Sequence, residues 1–273
     1  MKNTNANFAG SIPAAYDRYL RHIFFEGYAE DLAGRLKLEN RASVLELACG
    51  TGILTRILRD RLPAATRLVA TDLNQPMIDN ATQKFRADEA VEWRQADASS
   101  LPFEDGSFDA VVCQFGIMFV PDKALAAREA HRVLKPGGLF IFNVWDSLQH
   151  NDLGRIPHET IGCFFENDPP RFYETPFGYH DQAEIRRVVE GAGFSEVRLE
   201  VVAKTSGASR PEDVAHGLVH GTPIAIAIAE RDPTLLPAIT QAVGDALKRR
   251  YGETEIRVPM RAIVVEATRG RQR

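Results

Sequence analysis

The chain is poor in cysteine: it has three in 273 residues, Cys49, Cys113 and Cys163, at no spacing that suits a metal. That excludes a disulfide framework and a cysteine-built zinc site, and it fits a reducing compartment where each thiol serves as a small apolar group. No metal is expected. Positive charge is not in excess either. With 33 Lys and Arg against 37 Asp and Glu the net charge is -4, and no long basic run appears except the short tail Arg269 to Arg273. A sequence-independent attraction to nucleic acid is therefore excluded. Long apolar runs are absent as well. Nothing approaches the ~18 residues of a membrane span, and the polar stretch Met1 to Gly10 lacks the apolar centre of a secretion signal. The expectation is a cytoplasmic protein, monomeric or homodimeric.

What is present is ample apolar material, 44% of the residues, enough for one large domain with a sizeable core. From Ser43 to Val144 short β-rich runs alternate with helical patterns, the mark of parallel βαβ units. The runs are Ser43 to Ala48, Arg67 to Asp72, Val91 to Gln95, Phe108 to Gln114 and Leu139 to Val144. Upstream, Ile12 to Leu36 places apolar residues at helical intervals, with Ser11 and Pro13 near the start. Downstream, Ser147 to Tyr179 is too long and too aromatic for an idle connection. Asp181 to Glu184 reads as a capping box, and two further strands are expected at Glu196 to Lys204 and Ile256 to Ala267. Between those strands, Arg210 to Tyr251 is mostly helical by composition. Its run Ile224 to Ala229 alternates like a strand but is read as helix from its alanines and its surroundings. The domain plan is thus N-terminal helices (1–41), a ligand-binding core (42–146), pocket-forming insertions (147–180 and 210–251) and final strands (195–205 and 256–268).

The chemistry-bearing stretch opens at the first strand-to-helix turn, Glu46 to Gly52. Glycine at positions 50 and 52 lets the backbone approach a ligand, although a tight structural turn uses glycine too. Asp72 ends the second strand, where a carboxylate can accept from both ribose hydroxyls. A nicotinamide dinucleotide would use the same two elements. Its fingerprint needs glycine or alanine at position 55, where this chain has Thr55, and Glu46 would repel a pyrophosphate. A ligand carrying an ammonium and a sulfonium suits that carboxylate better.

Four motifs extend the pattern: Val44 to Gly52, Ala70 to Met77, Gln95 to Ala98 ahead of Leu101-Pro102-Phe103, and Arg132 to Gly138. In this order and spacing the chain resembles class I S-adenosylmethionine-dependent methyltransferases, in particular the small-molecule branch similar to the ubiquinone and menaquinone biosynthesis enzymes. The resemblance is strong from Ala42 to Val144. It implies an α/β, Rossmann-like fold: a seven-stranded, mostly parallel sheet with helices on both faces, an antiparallel last strand, N-terminal helices and a helical insertion forming a cap. The cofactor implied is S-adenosylmethionine, with S-adenosylhomocysteine as product, and the partner is a small-molecule methyl acceptor. Glu46, Ala48, Gly50 and Gly52 would line the methionine part, with Ala48 standing where many members have glycine. Asp72 would hold the ribose, and Leu73 and Met77 would flank the adenine, although both also suit a core. Asp97 and the Ala98 N–H would read the adenine edge. Lys135 to Gly138 reads as a structural turn rather than a contact.

Gln114, at the carboxyl end of the fourth strand, is expected to face the donor pocket or to cap the strand. Tyr16 either closes over the cofactor or packs its helix. Methyl transfer from a sulfonium is an in-line displacement that needs no enzyme nucleophile, in keeping with the lack of a nucleophile motif. For a hydroxyl acceptor a base would help; His180 is the first choice, against an ordinary surface histidine. Phe164, Phe165, Phe172, Tyr173, Phe177 and Tyr179 either wall an apolar acceptor pocket or form a minor core of the insertion. Gln114-Phe115-Gly116-Ile117 lacks the Asn/Asp-Pro-Pro motif of nucleobase amino-methyltransferases, and Asn167 to Pro170 lies too late in the chain to supply it. Two alternatives stay open: a cofactor-binding but catalytically silent regulatory protein, and a nicotinamide-dependent oxidoreductase.

Overall fold

A computed structural model describes residues 8, 10, 12–38 and 42–271. The expected helix start at Ser11 and the end of the basic tail at Arg273 lie outside the described residues. Seven strands, β1 (Ser43–Leu47), β2 (Arg67–Asp72), β3 (Val91–Gln95), β4 (Phe108–Gln114), β5 (Leu134–Trp145), β6 (Phe194–Thr205) and β7 (Pro259–Arg269), form one sheet in the order β3-β2-β1-β4-β5-β7-β6. The first five pair in parallel, and β7 runs antiparallel to both β5 and β6. Strand β4 is buried along almost its whole length, which requires cover on both faces. The order changes direction between β1 and β4, where an open α/β sheet leaves a crevice at the carboxyl ends of its strands.

The N-terminal run forms α1 (Ile12–Ala15), a π-helix (Tyr16–Phe25) and α2 (Glu26–Arg35). Ten residues of π winding is unusual, since such turns occur mostly singly and often at functional sites. Around the sheet follow α3 (Ile53–Arg61), α4 (Gln75–Thr82), α5 (Lys123–Val133) and α7 (Gln182–Gly191). Helix α7 begins with Asp181 accepting from the Ala183 and Glu184 N–H groups, the cap read from the sequence. The segments after β5 and β6 supply α6 (Asp152–Gly162), α8 (Pro211–His220), α9 (Ile224–Ala229) and α10 (Leu236–Tyr251). Helices α6, α8 and α10 pack on one another, and α8 packs on the π-helix, so the cap and the N-terminal run form one wall. In α9, Ile224 and Ile228 are fully buried, four residues apart as a helix demands.

Four strands depart from the expected bounds for local reasons, β1 because it ends at Leu47, one residue before Ala48 turns the chain at φ 52°. Leu134 pairs with Phe108 and Leu139 with Ala110, so Lys135 to Gly138 bulge out of a longer β5 as a turn inside the strand. Strand β6 starts at Phe194 and carries a register shift between Ser195 and Arg198, around Glu196 at φ 52°. Ile256 makes an isolated bridge to Ser209, and continuous pairing of β7 starts at Pro259.

Candidate functional site

A cavity of about 560 Å³ opens at the carboxyl ends of β1 to β4. The sheet brings Ala48, Gly50, Asp72, Asp97 and Gln114 to its wall, and α4 and the π-helix add Met77 and Tyr16. Leu73 and Ala98 complete the set of candidates found there. Three other candidates lie elsewhere. Gly52 is off the wall: at φ 80° it turns the chain into α3, and a Cβ on it would meet Ala81 Cβ at 3.0 Å, so its glycine serves helix packing. Glu46 is buried on β1 and does not line the cavity. His180 is exposed, with Nδ1 bonded to the Phe177 carbonyl at 2.9 Å, and it reaches neither this cavity nor the chamber beside it. A base role for His180 has no geometric basis.

The floor is built by Asp72. Its carboxylate accepts from the Gly50 N–H at 2.9 Å and the Asn74 N–H at 2.8 Å, which fixes the glycine turn to the end of β2. Burial pushes the Asp72 pKa up against these bonds. Two oxygens accepting two strong bonds still leave lone pairs for a ligand's hydroxyls. Below the floor, Glu46 is 1% exposed and its Oε2 has no hydrogen-bond partner, an unusual cost for a buried carboxylate. Desolvation, with the nearby Asp72 charge adding to it, pushes its pKa up to about 8. Thr55 opposes this shift, although its hydroxyl makes no hydrogen bond of good geometry.

At the other end, Leu73 is 52% exposed, one of two large apolar side chains left open among the described residues, while Met77 is buried. Leu73 thus has no core role, and an apolar platform facing an open cavity suits a flat ring. Asp97 is exposed and accepts from the Ser99 N–H at 2.7 Å. Gln114 donates to the Phe25 carbonyl at 2.8 Å, tying the π-helix to β4. The Tyr16 phenol is raised well above the usual tyrosine range by burial and by Asp72 and Asp17, so it stays neutral. No lysine, arginine or histidine stands among the described residues of the cavity wall.

A second, aromatic chamber of about 60 Å³ adjoins the first and shares Tyr16, Phe115 and Phe119 with it. Phe115 stacks on Trp145 at 3.8 Å between centroids. Of the insertion aromatics singled out in the sequence, Phe172, Tyr173 and Phe177 face this chamber; Phe164, Phe165 and Tyr179 do not. No charged side chain lines it among the described residues. Residues the sequence reading missed are Asn74, Phe115, Phe119 and Phe8. Phe115 was signalled by its place one residue after Gln114; Phe8, inside a polar stretch, carried no such signal.

Residues 45–142 match the methyltransferase domain family. Over this stretch the chain is similar to a methyltransferase domain. A demethylmenaquinone methyltransferase of Staphylococcus aureus is 28% identical over 206 residues, covering 69% of this chain and 84% of the relative. Two solved structures share the fold. A phosphoethanolamine N-methyltransferase of Haemonchus contortus, in complex with phosphomonomethylethanolamine and S-adenosylhomocysteine, aligns with TM-score 0.61 at 15% identity over 95% of this chain and 57% of its own. The YcgJ protein of Bacillus subtilis aligns with TM-score 0.59 at 18% identity over 90% of this chain and all (100%) of its own. The matched stretch runs from β1 into β5, and the cavity lies in the crevice at the switch of direction between β1 and β4.

Proposed function

We propose that this methyltransferase takes its methyl group from S-adenosylmethionine and passes it to a small, uncharged, apolar acceptor. The observation that carries the reading is the charge of the main cavity: carboxylates at Asp72 and Asp97, and no cation on its described wall. A pyrophosphate would find only repulsion there, whereas a ligand with an ammonium and a sulfonium is complementary. This disfavours the nicotinamide alternative.

When bound, S-adenosylmethionine supplies a methyl group on a good leaving group. Asp72 would hold the ribose hydroxyls with the lone pairs it keeps free. Leu73 and Met77 would sandwich the adenine, with Asp97 and the Ala98 N–H at its edge. Gly50, whose missing Cβ leaves open space, lets the methionine part lie along the turn. The aromatic chamber, at about 60 Å³, would take the apolar end of an acceptor that reaches in from the main cavity. Its lack of charge disfavours a phosphorylated or zwitterionic acceptor, which would be stripped of water without compensation. The likeness to a demethylmenaquinone methyltransferase supports an aromatic or lipid-like acceptor. Water exclusion and alignment by Phe115, Phe119 and Phe177 would then favour the transfer: the acceptor atom bonds the methyl carbon as the carbon–sulfur bond breaks to leave S-adenosylhomocysteine, and the acceptor's proton passes to solvent.

Titration calorimetry tests the first half: S-adenosylhomocysteine binds in the micromolar range and NAD does not. If neither S-adenosylmethionine nor its product binds at millimolar concentration, the reading fails. A panel of apolar aromatic acceptors, scored by S-adenosylhomocysteine production, tests the second; tight cofactor binding without turnover of any of them would favour a silent regulatory protein.

A further inference from the structure

Asp17, Thr51 and Lys84 come from three separate parts of the chain and meet behind the glycine turn. Lys84 Nζ bonds Asp17 Oδ1 and donates to the Thr51 carbonyl at 2.8 Å, while the Thr51 hydroxyl donates to the same Asp17 oxygen at 3.0 Å. The lysine and aspartate side chains are 25% and 22% exposed, and Thr51 is 1% exposed. An open surface pair contributes little and melts away in salt; a sheltered, three-way cluster resists both losses. Burial lowers the Lys84 pKa while Asp17 supports it, as expected of a lysine that depends on its partner.

What the cluster joins gives it meaning. Asp17 follows Tyr16, whose side chain forms part of the cavity wall. Thr51 directly follows Gly50, which lines the cavity, and Lys84 lies just beyond α4, which contributes Met77 to the wall. One ion pair therefore ties a wall to the floor and to the ring-binding side. A ligand lying on the turn and covered by Tyr16 leaves freely only when the π-helix shifts, and Asp17 cannot shift without breaking its bonds to Lys84 and Thr51.

We propose that Asp17 and Lys84 are positioning residues that latch the Tyr16 wall onto the glycine turn and so set how long the nucleoside cofactor stays bound. The inference rests on the main cavity being the cofactor site. The full-length chain is prepared as Lys84→Met, Asp17→Asn, the double variant and Lys84→Arg. S-adenosylhomocysteine dissociation is followed by stopped flow. Either single variant raises the dissociation rate roughly tenfold, a range typical of changes that act through residence time. The double variant is no worse than the singles, as expected for partners in one interaction. Lys84→Arg recovers most of the loss, and in turnover the change falls on the cofactor KM rather than on kcat. A purely structural role predicts a lower melting temperature with dissociation within about twofold of wild type, and that result overturns the proposal.

A second measurement works without ligand. Hydrogen exchange across residues 12–25 rises in both single variants if the latch holds that segment, and unchanged exchange there also overturns it. If the wild-type chain binds no S-adenosylhomocysteine while the exchange effect appears, the cofactor reading has failed and the latch between Asp17 and Lys84 stands.

Discussion

The Cβ of Ala48 occupies the space that a Cβ on Gly116 would need. Ala48 sits at φ 52°, a left-handed conformation that costs a non-glycine residue roughly 1–2 kcal/mol, and Gly116 alone leaves room for it. The alanine in the first glycine-rich motif is thus coupled to the glycine after β4. Gly116→Ala would drive its methyl into Ala48 and within 2.7 Å of Cys113 Sγ, so it should destabilise by about 1–3 kcal/mol. Ala48→Gly relieves the strain on its own and should be neutral or slightly stabilising. The double variant should recover part of the Gly116→Ala loss but not all, because Cys113 still obstructs. Urea denaturation of the four proteins closes this cycle; strict additivity would disprove the coupling.

Asp72 holds the floor through the Gly50 and Asn74 N–H groups, and Asp72→Asn replaces a charged acceptor by a neutral one that also brings an unwanted donor. Hydrogen bonds to a charged group contribute about 1.5–3 kcal/mol, so S-adenosylhomocysteine affinity should fall on the order of 10- to 100-fold. Calorimetry measures it. Affinity within about threefold of wild type would move the ribose to other residues.

Much of the parallel core was legible because its signals are local. The bounds of β2, β3 and β4 follow from apolar runs closed by Asp72, Gln95 and Gln114, and the α7 cap follows from Asp181. Other features depend on contacts distant in sequence. Gly50 and Gly52 look alike in a motif, yet only Gly50 faces open space, because Gly52 is packed against Ala81 and Phe85. The separation of Phe172 and Phe177 from Phe164 and Phe165 depends on how the insertion folds back, which no short spacing encodes. His180 illustrates the same limit: its place beside a capping box was readable, and its direction away from both cavities was not.

Glu46 should leave a signature in the pH dependence of stability. Its folded pKa is pushed up to about 8 from 4.5, so the folded state keeps a proton that the unfolded chain releases. The stabilising contribution is complete below pH 4.5, declines as pH rises, and is lost by about pH 8, above which both states are ionised. The stability difference between wild type and Glu46→Gln, measured by urea midpoints from pH 5 to 8.5, should therefore shift against wild type as pH rises. A cationic ligand favours the ionised carboxylate, so S-adenosylmethionine binding near pH 7 should release protons, seen as a heat that depends on the buffer's ionisation enthalpy. A pH-independent difference between the two proteins would show that Glu46 is ionised throughout.

The last prediction separates the aromatic chamber from the histidines. Phe177 lines the chamber, stacks toward Trp145 at 5.9 Å and packs so closely on Gly154 that a Cβ there would collide with its ring. Replacing it with alanine removes apolar surface where the acceptor would lie and costs stability of about 3–5 kcal/mol if the site does not collapse. Phe177→Leu keeps the volume nearly filled and isolates the recognition effect. With an acceptor in hand, Phe177→Leu should raise the acceptor KM several-fold while the S-adenosylhomocysteine Kd stays unchanged, because the side chain does not reach the main cavity. His180→Ala should leave kcat/KM within about twofold at every pH from 6 to 9, since its ring is exposed and its Nδ1 is engaged by the Phe177 carbonyl. An acidic limb lost in His180→Ala would restore the histidine as a base and require the segment 177–180 to move inward on binding. An unchanged profile together with a raised acceptor KM in Phe177→Leu would place recognition in the aromatic chamber and leave the transfer to alignment and exclusion of water.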